Sequence, residues 1–247
     1  MSKIVIAGAS SGLGFETAKL FISAGWKVSV CARRIDRLKP LVELNPDNVT
    51  AYQLDICSDS APTLLNNILN EGTPTDVYFH VAGIGNHNRE LDIEKEVNTL
   101  NTNALGFVKC IDTAYNYFKS VGGGHIAAIT SVAGTKGLSA APSYSATKRM
   151  QWTYLQCLAQ LSHSSGAGII ITDIRPGFVK TDLLDKSMDY PMLLTPPYAA
   201  KIIYKAIIKK KRVKIIDWKY AILVFLWKMI PDFVWERLKI DAKQSKK

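Results

Sequence analysis

At 247 residues, 47% hydrophobic and 21% charged, the chain is ordinary globular material, long enough for one sizeable core and unlike a disordered or fibrous sequence. Its four cysteines and four histidines form no CxxC or other ligand spacing, so they carry no metal-site or disulfide signature; Cys31 and Cys110 fall in apolar runs, as buried thiols of a reducing compartment do. The net charge of +10 is one-sided: residues 1–200 carry 17 basic and 17 acidic residues, whereas residues 201–247 carry 14 basic and 4 acidic.

Strand and helix patterns alternate from the start. Lys3–Ala7 is an apolar run that leads into Gly8-Ala9-Ser10-Ser11-Gly12-Leu13-Gly14 and an amphipathic helix to about Ala24. A strand beginning at once leaves no room for a signal peptide, and the cytoplasm is the expected compartment. Residues 28–31 and 49–54 read as the second and third strands, the latter running into Asp55-Ile56, and Ala61–Asn70 reads as a helix. Residues 77–81 are the fourth strand, before Ala82-Gly83. A long helical region follows over 90–121, broken near 98–103. After glycines 122–124 comes the fifth strand (125–130), then a helix from Pro142 to about Ser162 and a sixth strand (169–174) before Arg175-Pro176-Gly177. Residues 213–216 can add a seventh. Such alternation predicts a single α/β domain, a Rossmann-type doubly wound parallel sheet of about seven strands with an extra C-terminal helical segment. The expected organisation is a catalytic domain over 1–216, a cover segment over 181–197, and a basic, Trp-rich helical extension over 217–247. In such sheets ligands bind beyond the carboxyl ends of the strands, which is where every motif below falls.

Two motifs carry chemistry. Tyr144 and Lys148, four apart on a predicted helix, share one face. A fixed ammonium beside a phenol stabilises the phenolate, so the pair can pass a proton to or from a reacting oxygen. Ser131 ends the apolar run before that helix. The glycines at 8, 12 and 14 let the backbone approach a pyrophosphate at a helix N-terminus. At the end of the second strand the chain reads Cys31-Ala32-Arg33-Arg34, with no acid until Asp36. An acid there binds the ribose hydroxyl of NAD, whereas guanidinium groups match the extra phosphate of NADP, so NADP(H) is favoured over NAD(H).

With the Gly turn, Asn103, Ser131, Tyr144 and Lys148 together, residues 3–210 resemble the short-chain dehydrogenase/reductase family, of the NADP-preferring carbonyl reductase type. The resemblance implies that Tyr144 is the general acid, that Lys148 lowers its pKa and holds the nicotinamide ribose, and that Ser131 hydrogen-bonds the substrate oxygen. Asn103, which precedes Gly106 by three where Asn101 does not, resembles the asparagine that supports a proton-relay water near Lys148. The cofactor contacts it implies are Gly8, Ser10, Ser11, Gly12, Leu13 and Gly14 in the turn, Arg33 and Arg34, Asp55 and Ile56 at the adenine, Ala82 and Gly83, and Pro176, Gly177, Val179 and Thr181 at the carboxamide. The family's Asn-Asn-Ala-Gly is here His80-Val81-Ala82-Gly83, and His80 reads as a structural histidine. The family's common homodimer or homotetramer, built on the helices of about 103–121 and 142–162, is the expected assembly.

The cover segment holds Leu183, Leu184, Met188, Met192, Leu193 and Leu194, an apolar inventory that suits a hydrophobic carbonyl substrate. In the extension, three of the five tryptophans lie within 18 residues, and only eight apolar residues separate Lys219 from Lys228, against the about 20 needed to span a bilayer. Two readings stand. Residues 201–240 bind an anionic membrane surface peripherally, helped by the basic run 209–212, or the extension packs over the active site or an oligomer interface. Nothing resembles a nucleic-acid-binding motif. Other functional classes are a non-catalytic NADP-binding sensor or scaffold, against which the intact Ser131/Tyr144/Lys148 set argues, and a reductase of acyl groups on an acidic carrier.

Overall fold

The structure, a computed structural model, describes residues 1–182, 184 and 188–240. Leu183 of the cover segment and residues 241–247 of the extension lie outside the described residues, as do 185–187. The strands are β1 (Lys3–Ala7), β2 (Lys27–Ala32), β3 (Val49–Gln53), β4 (Val77–His80), β5 (Gly124–Ile129), β6 (Ile169–Arg175) and β7 (Val213–Ile215). The helices are α1 (Gly12–Ser23), α2 (Lys39–Val42), α3 (Ala61–Asn70), α4 (Ile93–Leu100), α5 (Phe107–Ser120), α6 (Pro142–Ser165), α7 (Pro196–Ile208), α8 (Trp218–Met229) and α9 (Asp232–Trp235).

The strands pair in parallel in the order β3-β2-β1-β4-β5-β6-β7. Alternate residues of a strand face opposite ways, and β1 supplies both layers: Ile4 and Ile6 pack with α1 and α7, Val5 and Ala7 with α3, α5 and α6. Both faces are therefore covered, which is why the strands read as continuous apolar runs. Chain order reverses between β1 and β4, so a crevice opens there at the carboxyl ends.

Two features differ from the sequence reading. The break expected near 98–103 is absent: α4 passes through a π-helical segment, Asn101–Gly106, straight into α5. Asn101, Thr102 and Asn103 are weak helix formers, but the Asn103 side chain bonds the Ile84 backbone in both directions (2.9 and 2.7 Å), and this tertiary tie holds the widened turn. Second, α7 and the turn-and-helix of Ile35–Val42 were not legible. Pro196-Pro197 suggests a loop, yet proline at the first helical positions is compatible with a helix start.

The extension, left with two readings by the sequence, packs against the body of the protein. Tyr220 and Val224 of α8 are buried with Val132, Pro231 follows the end of the helix, and the Trp235 indole donates to the Gly137 carbonyl at 2.7 Å. The basic run 209–212 precedes β7: Lys210 and Arg212 line a hollow with Gly168 and Ile169 at the start of β6, whereas α8 follows the carboxyl end of β7. Among the described residues no helix is long and apolar enough to cross a membrane.

Candidate active site

The Gly-rich turn follows from crowding. A Cβ on Gly8 (φ +95°) would fall 2.5 Å from the Ala82 nitrogen, and one on Gly14 2.2 Å from the Gly8 carbonyl oxygen. β1, the β4 exit and α1 meet too closely there for any side chain. Ser11, at the N-cap of α1, makes no capping bond to the first turn, which holds no acid. The N-terminus of α1 is thus a partial positive charge facing a cavity, suited to a pyrophosphate. That cavity, about 550 Å³, runs from the Gly turn past exposed Arg33 and Arg34 and past Asp55 and Ile56 to Tyr144. The donor set fits a nicotinamide dinucleotide.

All the catalytic and cofactor-binding residues expected from the sequence line this one cavity except Gly14 and Asn103; of the described apolar residues of the cover segment, Leu184 and Met192 line it, whereas Met188, Leu193 and Leu194 do not. Gly14 lies behind the turn. Asn103 is fully buried behind Gly83, with its side chain spent on Ile84 and Thr147.

The reacting end is assembled by β5, β6 and α6. Ser131 caps the short turn after β5, its Oγ accepting from the Ala133 N–H at 3.1 Å. Gly134 lets that turn press on α6, where a Cβ would come within 2.9 Å of the Arg149 nitrogen, and this sets Ser131 against Tyr144 and Lys148. The Lys148 Nζ lies 5.6 Å from the Tyr144 ring centre. Burial raises the Tyr144 pKa, and the hydrogen bond from Ser131 works against that. Burial lowers the Lys148 pKa to about 8, opposed by the Asp173 carboxylate. Asp173, fully buried, accepts from Thr130 and Arg175, and Arg175 stacks 3.6 Å over Trp152, whose indole donates to the Ser131 carbonyl. A buried charged network thus stiffens the floor under Ser131.

His80 is structural. Its Nδ1 is 2.9 Å from the Tyr78 hydroxyl and its ring packs edge-on to Phe107. Burial, reinforced by the Lys148 charge, pushes its pKa down to about 3, so it stays neutral.

A short chain dehydrogenase model matches residues 2–190. The chain belongs to the short-chain dehydrogenase family. It is 30% identical over 240 residues to an uncharacterized oxidoreductase of Mycobacterium tuberculosis, covering 93% of this chain and 94% of that one. It is 32% identical over 192 residues to dehydrogenase/reductase SDR family member 7B of Xenopus laevis, covering 73% of this chain and 59% of that protein. Its fold matches a short-chain dehydrogenase from Burkholderia cenocepacia, solved with NADP, at TM-score 0.82 and 16% identity over 97% of this chain and 98% of that one. It also matches ElxO with NADP bound, at TM-score 0.75 and 24% identity over 89% and 98%.

The family motifs did not point to several further residues. The substrate end is walled by Leu138, Tyr190, Met192, Leu223 and Trp227, two of them from α8. Tyr220, 1% exposed, accepts from the Phe178 N–H (3.0 Å), and its hydroxyl faces the Pro191 and Met192 carbonyls at 3.0 and 3.2 Å, joining the extension to the cover segment. The available signal was the helical spacing of Tyr220, Val224 and Trp227. Gln151, fully buried beneath Lys148, had no signal of its own.

Proposed function

We propose that this short-chain dehydrogenase is an NADPH-dependent reductase of hydrophobic carbonyl compounds, working in the cytoplasm as a homodimer or homotetramer. One observation carries the reading. A single cavity joins the glycine turn and the Arg33/Arg34 pair to Ser131, Tyr144 and Lys148 and ends against an apolar wall. A nicotinamide dinucleotide bound there supplies the hydride. Tyr144 gives the proton to the carbonyl oxygen, Ser131 hydrogen-bonds that oxygen as charge develops, and Lys148 stabilises the phenolate left behind. Gly83, where a Cβ would press within 3.2 Å of Asn103 Oδ1 and 3.6 Å of Lys148 Nζ, keeps the approach to Lys148 open. Arg33 and Arg34 favour NADPH, and NADPH favours reduction over oxidation. Exposed Leu105 and Leu161, at or beside the helices expected in the oligomer, favour self-association. The test is NADPH consumption against carbonyls graded from short and polar to long-chain. Turnover rising with chain length is expected, and turnover confined to small polar carbonyls would refute the substrate class.

A second reading concerns place. The outer face of α8 exposes Trp218, Ile222, Phe225, Leu226 and Met229, and at 100° per residue Lys219 and Lys228 fall on its two borders. This pattern favours a helix lying in an anionic lipid headgroup layer. Lys219, Lys228, Arg237 and Lys239 of the extension favour such a surface, at ~1 kcal/mol each. Flotation with phosphatidylglycerol vesicles but not with phosphatidylcholine vesicles is the expected result; failure to float with either removes this reading.

A further inference from the structure

The ammonium of Lys148 is held from below by a residue that belongs to neither motif. Gln151 lies one turn further along α6 and is fully buried. Its Oε1 accepts from Lys148 Nζ at 3.1 Å, and its Nε2 donates to the Asn103 carbonyl at 2.7 Å. Nζ also donates to the Ile129 carbonyl at 3.3 Å. A buried amide in a packed helix is costly unless both its ends are satisfied; here both are, and by the two residues on which the acid–base machinery depends.

We propose that Gln151 is a positioning residue for the Tyr144–Lys148 pair, a protein bridge between the Lys148 ammonium and the Asn103 carbonyl. The family resemblance assigns a water to the neighbourhood of that carbonyl. In this chain a side-chain amide reaches it, and an amide accepts and donates hydrogen bonds but does not titrate near neutrality. Gln151 therefore orients and stabilises the charged form of Lys148 without carrying protons itself.

The charge balance around Nζ makes this testable. Facing it are the Asp173 carboxylate on β6, neutral His80 on β4 and the Tyr144 phenol on α6. Burial works against the ammonium, and Asp173 with the acceptors Ile129 O and Gln151 Oε1 works for it. Losing the Gln151 acceptor makes the ammonium lose its proton at lower pH. A carboxylate in its place holds the proton to higher pH.

The experiment compares Gln151→Leu and Gln151→Glu with the wild type in two ways: the pH profile of kcat for carbonyl reduction, and NADPH affinity against pH by quenching of tryptophan fluorescence. The alkaline break in both curves should move down by roughly one unit in Gln151→Leu and up by roughly one unit in Gln151→Glu. The binding curve does not require turnover, so it tests Gln151 even if the reductase reading, on which the rate measurement rests, fails. Should Gln151→Leu not fold, the upward shift in Gln151→Glu decides alone. Breaks unmoved in the folded variants, with only the melting temperature lowered, would mean that Gln151 is core filler and would overturn the proposal.

Discussion

Tyr144 and Lys148 sit where burial opposes the charge on each, and that opposition sets the pH behaviour. Reduction uses the protonated phenol, kept ready by the neighbouring ammonium. With the Lys148 pKa at about 8, the rate should hold below that pH and fall as pH rises through it, which a kcat profile from pH 6 to 10 will show. Tyr144→Phe removes only the proton donor. Turnover should drop by ~10²–10⁴ while NADPH binding, followed by fluorescence, stays near wild type. At the other end of the cavity, Arg33→Ala should weaken NADPH binding by roughly tenfold and leave NADH binding unchanged, because a charge-assisted bond to the 2′-phosphate is what it removes. Equal loss for both cofactors would mean that Arg33 serves the local fold instead.

At the scale of elements, the contact between α8 and the segment after β6 decides whether the substrate end closes. Gly177 leaves space for the Tyr220 ring: a Cβ there would come within 2.1 Å of it. Gly177→Ala must displace Tyr220, and with it the anchor of Pro191 and Met192. Overpacking of this kind costs ~1–3 kcal/mol, so a lower melting temperature and a raised KM for long-chain carbonyls are expected together. Tyr220→Phe keeps the ring and deletes the hydroxyl that serves Phe178, Pro191 and Met192. It should raise KM for long-chain carbonyls several-fold while changing kcat little. Unchanged kinetics in both variants would show that α8 takes no part in the substrate site.

Across the whole molecule, two buried histidines make the fold acid-sensitive. His80 and His125, buried in the sheet, have pKa values lowered from 6.5 to about 3 and about 4, mainly by desolvation. The unfolded chain takes up protons below about pH 6.5 where the folded chain does not, so their contribution to stability is complete above pH 6.5 and is lost as pH falls toward 4. Melting temperature against pH should fall over that window, less steeply in His125→Gln, whose retained amide can still meet Thr172. The surface bears on assembly at the same scale. Ile93, Val97 and Leu100 on α4 and Leu105 beyond it stand 70, 44, 44 and 61% exposed. Sedimentation as a dimer or tetramer is expected; a monomer at micromolar concentration would count against the oligomer.

The alternating strands, the glycine spacing, Arg33-Arg34 and the Ser131/Tyr144/Lys148 set were legible in the chain because each is a local signal. Apolar runs of a fully covered parallel strand, glycines forced by backbone approach, and a helical i, i+4 pair need no knowledge of distant partners. The family could be read from these alone. What the tertiary structure decided depends on contacts between parts far apart in sequence. Asn103 turned an expected break into a π-helical turn by bonding Ile84. Two prolines opened α7 because its alanines and isoleucines had α1 to pack on. The basic run and the tryptophans, close in sequence, flank opposite ends of the edge strand β7. Gln151 and Tyr220 gained roles only once Asn103, Lys148, Phe178 and Pro191 had been brought to them. A side chain's chemistry is encoded locally, but its partners are set by packing.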